Sequence, residues 1–170
     1  AFLAPFKTAV PYLLRYNSET GYTDLAPVYK NNNKTMGDNV DKYFISRYVQ
    51  YRESYDWNTI QDNVDFTDLL STAGVFQEFN AFVHSNNSPV KILGENNKIR
   101  VDVISVTFLG DVAQVRYRKT VLDTNGQPSA SYTPINYIAN VKYDYGKKIT
   151  FAKDAVNVNP LGFEITAWNT

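Results

Sequence analysis

Near residue 97 the spacing of apolar side chains changes from about four residues to two, and this change restricts the fold more than any other feature of the chain. Before it, Val40, Phe44, Tyr48, Tyr51 and Tyr55 recur at intervals of four, four, three and four, which predicts one face of a helix ending near Trp57. Asp38 is the expected N-cap, with Asp41 near the third helical position. Thr59 opens a second, shorter helix reaching Leu70. Ser71 or Thr72 opens a third, with Val75, Phe76, Phe79, Phe82 and Val83 as its apolar stripe and Asn86-Asn87-Ser88-Pro89 as its stop.

After residue 97, Ile99, Val101 and Val103 alternate with Arg100 and Asp102. The alternation slips at Val103-Ile104, as expected for a bulge or for a strand buried on both faces. Ala113, Val115 and Tyr117 oppose Gln114, Arg116 and Arg118, with Gly110-Asp111 as the tight connection. Asp123-Thr124-Asn125-Gly126 marks a second hairpin loop. Ile135, Tyr137, Ala139, Val141 and Tyr143 form another strand, and Phe163, Ile165 and Ala167 the closing one. At the amino end, Val10 to Tyr16 reads as extended, residues 17–21 as a turn, and Tyr22 to Val28 as the chain leading away. Helices segregated from hairpin-connected strands define an α+β fold, with helices packed on one face of a curved antiparallel sheet. No repeat or linker interrupts residues 1–170, so the expectation is a single domain.

Composition excludes several functions. Seventeen Lys and Arg balance seventeen Asp and Glu, so there is no basic surplus to neutralise phosphates and no nucleic-acid partner is expected. Without cysteine there is no disulfide, thiolate metal site or thiol nucleophile. His84 is the single histidine; at a helix end it favours the negative pole of the dipole rather than acting as a general base. No HExxH, phosphate-binding loop or nucleophile-elbow motif occurs, and neither metal nor cofactor is expected. Asp62, Asp65 and Asp68 share a helix face and read as a solvated surface. Tyr43, Tyr48, Tyr137 and Asp102 are the residues a cavity-based acid–base site would use, although nothing in their spacing singles them out. The alternative function is therefore a small cavity-based enzyme or a lipophilic-ligand binder. Arg116, Arg118 and Lys119 make one strand basic, as edge strands often are.

Aromatic residues reach 15%, with thirteen Tyr, a composition suited to partly buried surfaces and interfaces. Tyr43, Phe44, Arg47, Tyr48 and Tyr51 cover more than one face of the first helix and are the candidates for self-association. A second notable stretch is Asn159-Pro160-Leu161-Gly162-Phe163. Pro160 restricts Asn159 to extended backbone, Gly162 permits a left-handed angle, and Leu161 is free to plug inward. The expected role of this turn is to set the register of the closing strand.

Four stretches together resemble the periplasmic domain of the VirB8 family. They are "PFKTAVPYLLRYNSETGYTDL" (residues 5–25), "DKYFISRYVQYRESYDW" (41–57), "VAQVRYRKT" (112–120) and "NPLGFEIT" (159–166). The second and fourth carry most of the specificity. The resemblance implies a nuclear transport factor two-like cone and no enzymatic activity. It also implies a non-enzymatic assembly scaffold of a bacterial type IV secretion system, with itself and other secretion components as partners. It places the domain on the periplasmic side of the inner membrane, after a single transmembrane helix. Ala1 in place of Met fits a fragment that starts beyond that helix. Family members often carry an Arg shortly before the NPLGF turn; here the nearest cation is Lys153.

Overall fold

The computed structural model describes residues 13–16, 23–26, 37–148 and 153–170. The chain divides into two units, residues 1–41 and 42–170. In the first, β1 (Leu13–Tyr16) pairs antiparallel with β2 (Thr23–Ala26), Leu13 opposite Ala26 and Tyr16 opposite Thr23. The expected turn at residues 17–21 lies outside the described residues. Helix α1 (Asp38–Glu53) already includes its expected cap, so it starts one residue early: Gly37, at φ 103°, precedes it and its carbonyl accepts from the amides of Val40 and Asp41 at 3.0 and 3.1 Å. Asp38 and Asp41 sit inside the first turn, where a carboxylate still meets the positive end of the dipole.

Four helical segments then lead into the sheet: the rest of α1, α2 (Ile60–Leu69), α3 (Ala73–Val83) and the one-turn α4 (Pro89–Ile92). Helix α1 stops at Glu53, short of Trp57, because Tyr55 turns to the sheet. Its amide donates to the Ile99 carbonyl at 3.1 Å, its carbonyl accepts from the Ile99 amide at 2.8 Å, and its hydroxyl donates to the Gly94 carbonyl at 2.6 Å. Ser88-Pro89, expected as a terminator, also starts α4: the Ser88 hydroxyl accepts from the Val90 amide at 3.2 Å and Pro89 occupies the first turn, where its missing N–H costs nothing.

The sheet of residues 42–170 runs β3–β4–β5–β6, all antiparallel: β3 (Lys98–Leu109), β4 (Val112–Leu122), β5 (Ile135–Asp144) and β6 (Glu164–Asn169). Gly110, at φ 66°, makes the two-residue β3–β4 turn. The slip at Val103-Ile104 is a bulge: Val103 pairs with Tyr117 and Ser105 with Arg116, leaving Ile104 over. Ala113, Val115, Tyr117, Ala139, Val141 and Ile165 are buried on one face. From α1 the core receives Phe44, Ile45, Tyr48 and Val49. Two rows at four-residue spacing therefore point inward, where the sequence pattern suggested one. The α3 stripe is only partly buried: Val75 and Phe79 are inside, while Phe82 is 48% exposed. The six-residue α5 (Lys153–Val158) was not expected from the sequence.

The last strand reaches the sheet through residues 159–163. The Asn159 side chain donates to the Leu69 and Phe163 carbonyls, both at 2.8 Å, and accepts from the Phe163 amide at 2.8 Å. Gly162 stands at φ 68°, and a Cβ there would lie 2.6 Å from the Lys147 carbonyl oxygen. The Gly162 carbonyl accepts from the Lys147 amide at 2.9 Å. Leu161 does not plug inward; it is 38% exposed, because the buried position falls to Phe163. The Phe163 ring stacks on Phe44 at 5.1 Å and on Tyr143 at 5.6 Å, and meets Tyr145 edge-on at 5.5 Å. Ala167 is also displaced from its expected inward position. Tyr143 pairs with Ile165 but Lys142 with Ala167, so Thr166 is an extra residue and Trp168, opposite Val141, takes the core side.

Two substitutions test this closure. Gly162→Val adds both the clash with Lys147 and a side chain at positive φ. We expect it to cost at least about 2 kcal/mol, roughly 4–8 °C in Tm for a chain of this size. Asn159→Ala strands two buried backbone groups of Phe163 and the half-buried Leu69 carbonyl, and should cost about 2–3 kcal/mol. Thermal unfolding followed by circular dichroism measures both. Wild-type midpoints would show that the turn does not set the strand.

Candidate interaction surface

Besides the buried Ile45–Val49 row, helix α1 has three lengthwise stripes, each repeating every four residues and each in a different environment. Phe44 and Tyr48 lie on the core stripe, at 4% and 0% exposure. Both were candidates for self-association; burial under the sheet removes them as surface contacts. The second stripe carries Tyr43, Arg47 and Tyr51. Tyr43 is 56% exposed. The Arg47 guanidinium lies 5.8 Å from the Tyr43 ring and 5.9 Å from the Tyr51 ring. Tyr43, and then Tyr51, holds the Arg47 pKa above its ordinary value. Tyr51 also rests on Phe66 of α2, with ring centroids 5.0 Å apart. Two aromatic rings thus clamp an exposed cation at about 0.5–1 kcal/mol per contact, and the stripe is ordered before any partner arrives. The third stripe, Lys42, Ser46 and Gln50, faces the outer edge of β3.

Between helices and sheet lies a cluster of polar groups that the sequence pattern did not reveal. The Arg52 guanidinium is stacked 4.5 Å from Trp168 and 5.2 Å from Phe79. Its Nη1 donates to the Tyr48 hydroxyl at 3.1 Å, which also accepts from Ser71 at 3.0 Å. Glu53 pairs with Lys119, and Lys119 in turn sits 4.9 Å over Tyr137. Tyr137 stacks on the fully buried Tyr117 at 5.6 Å. The enclosure of Arg52 follows from the position of Trp168 after the β6 bulge.

The four residues proposed for a cavity-based reaction do not converge. Tyr43 is on the outer face and Tyr48 is occupied by Arg52 and Ser71. Tyr137 is stacked on Tyr117. Asp102 faces solvent in an ion pair with Arg100 at 3.1 Å. His84 is the C-cap of α3, its Nδ1 2.8 Å from the Asn80 carbonyl oxygen. Among the described residues no group of three His, Asp or Glu is placed to hold a metal.

The arrangement of helices, sheet and closing turn can be compared with known proteins. The VirB8 protein family profile matches residues 1–170. The chain belongs to the VirB8 family. It is 31% identical to the type IV secretion system protein virB8 of Brucella suis over 169 residues, which is 99% of this chain and 70% of that relative. The soluble domain of TrwG from Bartonella grahamii superposes with a TM-score of 0.73 at 35% identity, covering 80% of this chain and 94% of that one. The VirB8 protein of Agrobacterium tumefaciens gives 0.63 at 25%, covering 78% and 90%. This VirB8-family chain is therefore a type IV secretion component with the nuclear transport factor two-like fold. Among the described residues no helix is long and apolar enough to cross a membrane.

Burial raises the phenol pKa of Tyr48, Tyr55 and Tyr117. A folded-state pKa above the unfolded value of about 10 means that these groups support folding fully below that pH, and that their contribution is lost as pH rises through the folded pKa. Spectrophotometric titration should therefore show three of the thirteen tyrosines ionising only as the protein unfolds, with stability declining above about pH 10. If all thirteen titrate together in the folded state, the interior is wet and this packing is wrong.

Proposed function

We propose that this domain is a non-enzymatic scaffold of a type IV secretion channel, working through protein–protein contacts and self-association. In this reading residues 1–170 are a single periplasmic domain of a longer protein, held at the inner membrane by one upstream helix. The observation that carries it is the Tyr43–Arg47–Tyr51 stripe. Aromatic residues and Arg dominate interface energetics, and rings already clamped on a cation lose little entropy on binding. The core stripe beside it anchors the helix, so the surface is rigid. The interior supports the same reading: Arg52 bonds to Tyr48, Glu53 pairs with Lys119, and aromatic rings fill the space around them, so these groups do not line an open reaction chamber.

Sedimentation equilibrium of the wild type, Tyr43→Glu and Tyr51→Glu tests the self-association. The wild type should show a concentration-dependent dimer. Each variant should weaken it by at least about tenfold, since a lost interface tyrosine typically exceeds 1.4 kcal/mol. Unchanged circular dichroism would confirm that the fold survives. A wild type that stays monomeric at millimolar concentration, or variants that dimerise equally well, would remove α1 as the interface.

A further inference from the structure

The third stripe of α1 and the outer edge of β3 enclose a groove of about 510 Å³, with Lys42, Ser46 and Gln50 on the helix wall and residues 101–106 on the strand wall. β3 is an edge strand twelve residues long. Among the described residues its outer edge is paired only at Ile99, which exchanges two backbone hydrogen bonds with Tyr55. That bridge fixes which groups are left over. Backbone groups alternate in direction along a strand, so Val101 and Val103 point their N–H and C=O the same way as Ile99, into the groove. Val101 is 7% exposed, so its unpaired backbone groups are poorly placed to be satisfied by bulk water. Beyond it the bulge turns Ile104 out to 60% exposure.

From this geometry we infer that the groove receives an extended acidic peptide segment of a partner protein, which adds to β3 as a fifth strand. The bridge at Ile99 shows that the edge accepts a backbone in this direction, and the groove continues the line of that bridge. Main-chain bonds to Val101 and Val103 supply the attachment, and alternate side chains are read by the two walls. Those facing the helix meet the Lys42 ammonium, the Ser46 hydroxyl and the Gln50 amide, which suit a carboxylate. Those on the other side meet Ile104 and Asp102, whose carboxylate is already paired with Arg100 at 3.1 Å. A second copy of β3 fits poorly, because its valines would face this polar wall. The inference adds a second contact surface and is independent of self-association, since Tyr43, Arg47 and Tyr51 lie on a different stripe of the helix.

An acetylated seven-residue peptide of alternating glutamate and valine is a suitable probe, titrated into the full 170-residue chain at low salt. Amide hydrogen exchange by NMR reads the edge directly. Without peptide, the Val101 and Val103 amides should exchange much faster than that of Val115, which is buried in the central strand β4. Saturating peptide should protect both. The same peptide N-methylated at alternate residues should not bind, and Lys42→Glu should weaken binding at least about fivefold. Tyr43→Glu, which disrupts the proposed dimer, should leave peptide binding unchanged. The inference fails if Val101 and Val103 are already protected in the free chain. It fails equally if their protection grows with protein concentration alone, which would make the occupant a second copy. Absence of binding, or binding that leaves these amides unprotected, also overturns it.

Discussion

The Phe163 ring is where the two halves of the domain meet. It is fully buried against Phe44 from α1 and against Tyr143 and Tyr145 at the end of β5. Burying such a ring contributes about 1.5–3 kcal/mol, more with favourable ring geometry. Its position depends on Asn159, whose side chain grips the amide and carbonyl of Phe163 while holding the Leu69 carbonyl ninety residues away. The backbone continues the tie: the Ile165 amide donates to Leu70 at 2.8 Å and the Ile165 carbonyl accepts from Thr72 at 3.0 Å. The α2–α3 junction and the last strand are thus stitched along one seam. Lys147 adds to it, donating its ammonium to the carbonyls of Asp68 and Ser71.

The surface follows from that seam. With Phe44 and Tyr48 committed to the interior, α1 cannot rotate, and its other two stripes are presented in fixed directions. One offers aromatic rings clamped on a cation; the other forms a polar wall along a strand edge. Rigid display of this kind suits the scaffold role proposed above. Inside, the Arg52 guanidinium is sandwiched between Trp168 and Phe79, and the Tyr48 and Ser71 hydroxyls and the Glu53 carboxylate are engaged in bonds. A buried cation stays bound in such a place because every alternative exposes it to an unpaired, low-dielectric site.

Much of this was legible from local pattern. The change of period near residue 97 separated helices from strands, the slip at Val103-Ile104 located the bulge, and Gly110-Asp111 located the first hairpin. In each case neighbours in sequence are neighbours in space, so the physics is local. The candidate surface was legible only in part: Tyr43, Arg47 and Tyr51 are outside, but Phe44 and Tyr48 are not. A helix rich in aromatics on two adjacent rows does not reveal which row the sheet will cover, and that choice belongs to Phe163.

The amino-acid sequence by itself determined the α+β class, the order of the elements, the need for glycine at position 162 and the resemblance to a secretion-system family. These follow from periodicity, from backbone sterics and from motif spacing. Tertiary structure alone decided that Ile45 and Val49 join the core, that Leu161 and Ala167 turn outward, and that Arg52 is enclosed by aromatic rings. Among the described residues, nothing pairs with the outer edge at Val101 and Val103 beside Lys42. Each of these depends on contacts between residues far apart in the chain. One extra residue at Thr166 reverses which side of the last strand is buried, and no local pattern records that reversal.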